Sequence, residues 1–200
     1  MQNETPFQIA LIIALAPFLV VRTYYRIKTR TFSKESFPKD SRVMLKILLF
    51  ILVLTFVVMI MWLINSDLMR WASFSLPGWI RWGGMILSLA ATSLLFSVHQ
   101  ILGKSYSPKL EIKEKHNLVT TGPYRYVRHP MYSAIFCWTL GLALIISNWT
   151  TIFLPLAFAL YVILRLPKEE MMMIDKFGGE YKSYMNRTGR IIPNFFRKDK

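Results

Sequence analysis

The sequence predicts an all-α integral membrane protein with five transmembrane helices. Three observations carry that expectation. Apolar residues make up 54% of the 200 residues. They fall in long blocks rather than at period 3.6 or 2, and a spanning helix needs about 20 mostly apolar residues. The same chain has a net charge of +14, which a soluble domain of this size rarely combines with such apolar content. The basic residues cluster between the blocks: of 25 Lys and Arg, seven lie in 22–42, six in 103–130 and nine in 165–200.

Five spans put those three basic regions on one side. Only Arg70 and Arg81 lie in or beside a segment on the other. By the positive-inside rule the basic side is the cytoplasm, with the N-terminus outside and the C-terminus inside. Anionic lipid headgroups account for the basic surface, so no nucleic acid is expected as a partner. The single cysteine, Cys137, excludes an internal disulfide and reads as a small core residue. His99, His116 and His129 lack metal-ligand spacings, so no metal is expected.

The first span is expected over 6–21, with Pro17 a candidate kink; no basic n-region or small-residue cleavage site marks it as a signal peptide. The second, 43–64, is the most apolar, and Lys46 near its start is placed to snorkel. The third, 78–102, carries a small-residue face of Gly83, Gly84, Ser88, Ala90, Ala91 and Ser93, suited to close helix approach in a bilayer. His99 near its end reads as an interfacial polar residue. The fourth, 131–146, and the fifth, 151–166, form a hairpin across Ser147-Asn148-Trp149-Thr150. In the polar, basic tail, Gly178-Gly179 is expected to stop one helix and Pro193 to end another.

The polar loop 103–130 ends in Thr121-Gly122-Pro123-Tyr124-Arg125-Tyr126-Val127-Arg128-His129-Pro130-Met131-Tyr132. Prolines 123 and 130 fix φ, and each pushes the residue before it, Gly122 or His129, toward extended geometry. A shaped loop is therefore expected here rather than one helix. Residue types alone fit a juxtamembrane anchor. The density of rings and guanidiniums also fits a small-molecule site. Arg165 and Glu169 share a helix face at i, i+4, which by itself reads as a boundary salt bridge.

The spacing G-x-Y-x-x-x-R-H-P-x-Y at 122–132 is followed by Arg165-x-x-x-Glu169-Glu170 and Phe177-Gly178-x-Glu180-Tyr181. Together these resemble the isoprenylcysteine carboxyl methyltransferase family and the membrane methyltransferases around it, from about Lys109 to about Pro193. The short acidic run, Glu169-Glu170 before Met171-Met172-Met173, makes the chain look like a compact prokaryotic member. The resemblance implies S-adenosylmethionine as methyl donor and an isoprenylcysteine-like lipidic carboxylate as acceptor. The apolar blocks divide the chain into a three-span N-terminal region, 1–102, and a region 103–200, comprising the cytoplasmic loop, the hairpin 131–166 and the tail, to which the resemblance gives catalysis. Carried over residue by residue, it gives the cofactor pocket to His116, Asn117, Leu118, Val119, Tyr124, His129, Pro130, Met131 and Tyr132, with a further contact at Glu111. It gives the cofactor ammonium to Glu169 and the substrate carboxylate to Arg165. No glycine-rich dinucleotide turn is present, so the common soluble methyltransferase fold is not expected. The alternatives left open are an NADPH-dependent membrane sterol or isoprenoid reductase, which shares R-H-P-x-Y, a phospholipid N-methyltransferase-like enzyme, and a non-enzymatic membrane scaffold.

Overall fold

A computed structural model describes residues 3–28, 42–102 and 118–194, with the side chains of 42–49 and 52 excepted. Among the described residues six α-helices follow one another: α1 (Thr5–Lys28), α2 (Arg42–Ile64), α3 (Gly78–Leu102), α4 (Pro130–Ile146), α5 (Trp149–Phe177) and α6 (Gly179–Arg187). Short 3₁₀ helices lie at Ser66–Ala72 and Gly122–Arg125. α3 and α4 form the most extensive pair; α1 packs on both, α5 on α4, and α2 on α5.

Among the described residues three helices, α1, α3 and α5, are long and apolar enough to cross a membrane. Their outward faces carry large apolar side chains such as Ile9, Val20, Ile86, Phe153 and Ile163. Exposed Trp71, Trp79, Trp82 and Trp149 gather near the end that holds the α4–α5 turn, as aromatic side chains do at a headgroup boundary. This is the surface of an integral membrane protein.

The third span is expected over 78–102 and α3 occupies those residues. Its small-residue face is narrower than expected: Gly84, Ser88 and Ala91 are buried, whereas Gly83, Ala90 and Ser93 are exposed. The reason is contact geometry. A Cβ on Gly84 would lie 2.7 Å from the Gly141 carbonyl oxygen, and one on Gly141 2.2 Å from Ser88 Oγ, so α3 and α4 touch backbone to backbone there. Trp138 Nε1 donates to the Ala14 carbonyl at 3.2 Å, and its ring stacks on Phe18 at 3.7 Å. These contacts tie α1 to the same core.

The hairpin turn forms as the uncharged tetrapeptide suggested. Ser147 takes φ 55°, and the Asn148 side chain accepts from the Thr150 amide, capping α5. Asn148 Nδ2 also donates to the Met69 carbonyl at 2.9 Å, which joins this turn to the 66–77 segment. The N-terminus lies at the same end, where Arg81 makes a two-pronged pair with Glu4 and donates to the Ile145 carbonyl.

Several expectations are corrected. α1 does not stop at Val21 but runs through Pro17 and Arg22 to Lys28. α5 does not stop at Leu166: it passes Pro167 and ends at Gly178. Pro167 and Ile163, one turn before it, both face outward, so the ring and the N–H it lacks fall where no packing suffers. Pro193 ends no helix, because α6 already stops at Arg187 with Thr188 as its cap. Gly122 is not extended but has φ 60°. A Cβ there would sit 2.1 Å from Ile101 Cδ1, so the lack of a side chain decides the turn. His99, near the end of α3, is buried in the protein and stacked on Tyr25 at 4.7 Å, and Arg81 is buried and paired with Glu4.

Candidate active site at the basic end of the bundle

The loop 118–129 and the distal half of α5 meet at the end of the bundle opposite the Trp cluster. Proline places the parts. Pro123 opens the 3₁₀ turn and Pro130 opens α4, a position where a missing N–H costs nothing. His129, the α4 N-cap residue, has φ −125° and ψ 59°, which keeps it outside the helix. Its side chain and that of Tyr132, one turn on, therefore lie together, rings stacked at 5.8 Å.

Those two rings reach α5. The Tyr132 hydroxyl donates to Glu169 Oε1 at 2.8 Å, and Arg165 Nε donates to the same oxygen at 2.5 Å. Glu169 Oε2 lies 3.8 Å from His129 Nδ1, beyond hydrogen-bond distance. Arg165 Nη1 donates to the Tyr161 hydroxyl. Tyr132, Phe158 and Tyr161 form an aromatic wall with ring centroids 6.2 to 6.5 Å apart. The i, i+4 salt bridge between Arg165 and Glu169 is thus present, and it sits inside a ring-lined site rather than alone on a boundary.

A second constellation adjoins the first, centred on the buried carboxylate of Glu170. Glu170 accepts from Arg128 Nε at 2.9 Å and from Arg190 Nε at 2.9 Å. Arg128 Nη1 also donates to the carbonyls of Met185 and Thr188. The backbones pair as well: Arg128 N to the Gly189 carbonyl at 2.9 Å, His129 N to that of Arg190 at 3.1 Å. The Tyr184 hydroxyl donates to the Tyr124 carbonyl at 2.6 Å, and burial pushes its pKa up to about 12.

Of the residues expected in the site, His129, Tyr132, Glu169 and Arg165 converge. Pro130 is buried beneath them as the first α4 residue, Met131 is half-buried against the core, and Tyr124 contributes its carbonyl to α6. Leu118 and Val119 are half-buried in the preceding segment. Glu111, His116 and Asn117 lie outside the described residues. Glu170 and Arg128 stand in the motifs but were given no part in the site from sequence, and Arg190 and Tyr161 were not singled out. The doublet Glu169-Glu170 held one signal for them: adjacent helical positions point about 100° apart, so two carboxylates need two sets of partners. A separate cavity of about 580 Å³ opens at the opposite end beside Glu4, Asp67, Arg70 and Arg81. Its charges are paired as Arg81–Glu4 and Arg70–Asp67, and it lies far from these side chains.

Comparison with known proteins agrees with the motifs. The model of the isoprenylcysteine carboxyl methyltransferase (ICMT) family matches residues 84–175, starting earlier and ending earlier than the motifs alone indicate. The protein-S-isoprenylcysteine O-methyltransferase of Schizosaccharomyces pombe is 34% identical over 94 residues, 46% of this chain and 40% of that protein. The Saccharomyces cerevisiae protein of the same name is 30% identical over 120 residues, 56% of this chain and 47% of that one. Protein-S-isoprenylcysteine O-methyltransferase B of Arabidopsis thaliana is 30% identical over 121 residues, 58% and 60% respectively. The chain thus spans about half the length of these relatives. The solved structure of the eukaryotic intramembrane Ras methyltransferase ICMT superposes with a TM-score of 0.59 at 20% identity, over 96% of this chain and 70% of that one. Motifs, geometry and comparison converge: residues 84–175 of this chain are similar to the isoprenylcysteine carboxyl methyltransferase family, on the fold of its solved eukaryotic member.

Proposed function

We propose that this protein is an integral membrane S-adenosylmethionine-dependent methyltransferase acting on the carboxylate of an isoprenylcysteine-like lipidic substrate. The observation that carries the reading is the convergence of Glu169, Arg165, Tyr132 and His129 at one end of an apolar bundle. The residues present suit the donor. Glu169 is partly accessible and keeps acceptor capacity on Oε2 for an ammonium group, while the stacked rings of His129 and Tyr132 offer walls for a flat heterocycle. Glu111, His116, Asn117, Leu118, Val119, Tyr124, Pro130 and Met131 complete the proposed pocket. When bound, S-adenosylmethionine supplies the electrophilic methyl group.

The protein's share of the chemistry is placement. A C-terminal carboxyl ionises at about 3.3 to 3.7, so the acceptor is already an anion at neutral pH and needs no general base. Arg165 has five N–H donors and can serve Glu169, Tyr161 and a substrate carboxylate from one planar fork. Holding two oppositely charged reactants in line, away from water, is then the main source of acceleration. The lipid chain of the acceptor would lie between spans, and the donor would enter from the cytoplasm. This reading includes five crossings with the N-terminus outside.

The test is calorimetric titration of the detergent-solubilised protein with S-adenosylhomocysteine and with NADPH. Methyl transfer to a farnesylated cysteine analogue and to phosphatidylethanolamine is measured alongside. Binding of S-adenosylhomocysteine and transfer to the farnesylated analogue is the expected result. Binding of NADPH instead would replace this reading by the reductase. Transfer to phosphatidylethanolamine alone would keep the reaction class and change the acceptor.

A further inference from the structure

We propose that Glu170 is a positioning residue that, through Arg128 and Arg190, clasps the 124–129 loop onto the 184–191 segment and so fixes His129 against Glu169. The inference rests on the reading of this site as the methyl-donor site, and it brings in the 184–191 segment, which lies beyond the family match at 84–175.

The backbone pairing between the two segments is short. It consists of Gly189 N to the Tyr126 carbonyl at 3.1 Å, Arg128 N to Gly189 at 2.9 Å and His129 N to Arg190 at 3.1 Å. A pairing of so few residues is marginal by itself in water. Side chains reinforce it at both edges. Ser133 Oγ donates to the Ile191 carbonyl at 2.5 Å, and the Tyr184 hydroxyl to Tyr124 at 2.6 Å. At its centre stands Glu170, 3% exposed. A carboxylate that deeply buried requires paired charges and filled lone pairs. Both come from the two segments being joined: Arg128 belongs to the loop, Arg190 to the tail. Arg128 in addition holds the carbonyls of Met185 and Thr188 at the end of α6, where a cation suits the helix C-terminus.

The consequence for the site is geometric. His129 lies between the two carboxylates, with Nδ1 3.8 Å from Glu169 Oε2 and Nε2 3.6 Å from Glu170 Oε1. Its amide is held by Arg190. Loosening the clasp frees the backbone that aims this ring, while Glu169, Arg165 and Tyr161 stay in place on α5. The effect should therefore fall on donor binding, not on the acceptor-holding arginine.

Arg190→Met tests this, because the Arg190 side chain is half exposed and Glu170 keeps Arg128 when it is lost. Glu170→Gln is the second variant and Arg190→Lys the conservative control. In the whole solubilised protein, Arg190→Met is expected to raise amide exchange across 124–129 and to weaken S-adenosylhomocysteine about tenfold, or about 1.4 kcal/mol. KM for the farnesylated analogue should change far less, and Arg190→Lys should restore most donor affinity. Unchanged exchange across 124–129 in both Arg190→Met and Glu170→Gln overturns the clasp. Raised exchange with unchanged donor affinity shows a structural tie only and overturns the positioning role. If the unmutated protein binds no S-adenosylhomocysteine, the donor assignment fails by itself, and the exchange measurement still decides whether the clasp exists.

Discussion

Glu169 and Glu170 are consecutive residues of α5, yet their carboxylates serve different parts of the molecule. Glu169 accepts from Tyr132 and Arg165 in the ring-lined site, whereas Glu170 accepts from Arg128 and Arg190 behind it. One residue of helix turns the side chain by about 100°. α5 packs along α4 at this level, so that rotation is enough to give the two carboxylates separate sets of partners.

Glu169→Ala should leave a folded protein with weakened donor binding. Removing the partner of a buried ammonium costs about 2 to 5 kcal/mol, so affinity for S-adenosylhomocysteine should drop by more than about tenfold. Calorimetry checks it; equal affinity in a variant of unchanged melting temperature would give the ammonium to another residue.

Arg165→Lys should abolish most methyl transfer to the farnesylated analogue, because lysine lacks the planar fork. Donor affinity should change little. If Arg165 served only as the i, i+4 partner of Glu169, lysine would replace it nearly as well. Near-normal transfer would return it to that role.

Gly141→Ala should destabilise the bundle. The added methyl would lie 2.5 Å from the Gly84 carbonyl oxygen and closer still to Ser88 Oγ, and overpacking of this kind costs about 1 to 3 kcal/mol. Thermal unfolding in detergent reads the effect. An unchanged midpoint would show that α3 and α4 can separate freely.

Tyr184 gives a pH dependence with a defined sign. Burial raises its phenol to about 12 from an ordinary value near 10. The folded state therefore favours the neutral form. Its contribution is complete below pH 10 and is lost as pH rises through about 12. Tyr184→Phe should lower stability by a constant amount up to pH 10, from the lost hydrogen bond to Tyr124, and should lose less than the unmutated protein above it. Parallel melting curves across that range would remove the assignment.

The membrane orientation is open to labelling. Cysteines in place of Arg125 and Lys182, both exposed, should react with an impermeant reagent from the cytoplasmic side, and one in place of Asp67 from the other, with Cys137 replaced throughout. Reaction of the first two from outside would invert the proposed topology.

The sequence by itself determined the apolar blocks, the α4–α5 turn, the stop at Gly178 and the shaped loop closed by two prolines. Each is a local matter of composition, backbone freedom or a missing N–H, readable within a few residues. The resemblance carried by 122–132 and 165–170 also lay in short spacings. Tertiary structure decided what depends on helix rotation and on partners far along the chain. Glu170 meets Arg128 from 42 residues away; Arg81 finds Glu4 from 77. Pro167 is tolerated because it faces outward, a fact of packing that no local rule contains. Gly122 has positive φ where Ile101 occupies the space a side chain would need, a contact between segments 21 residues apart. Local rules fix which elements form, but the facing of each side chain is set by the summed packing of α1, α3, α4 and α5. That packing brought a tail outside the family match against the loop inside it.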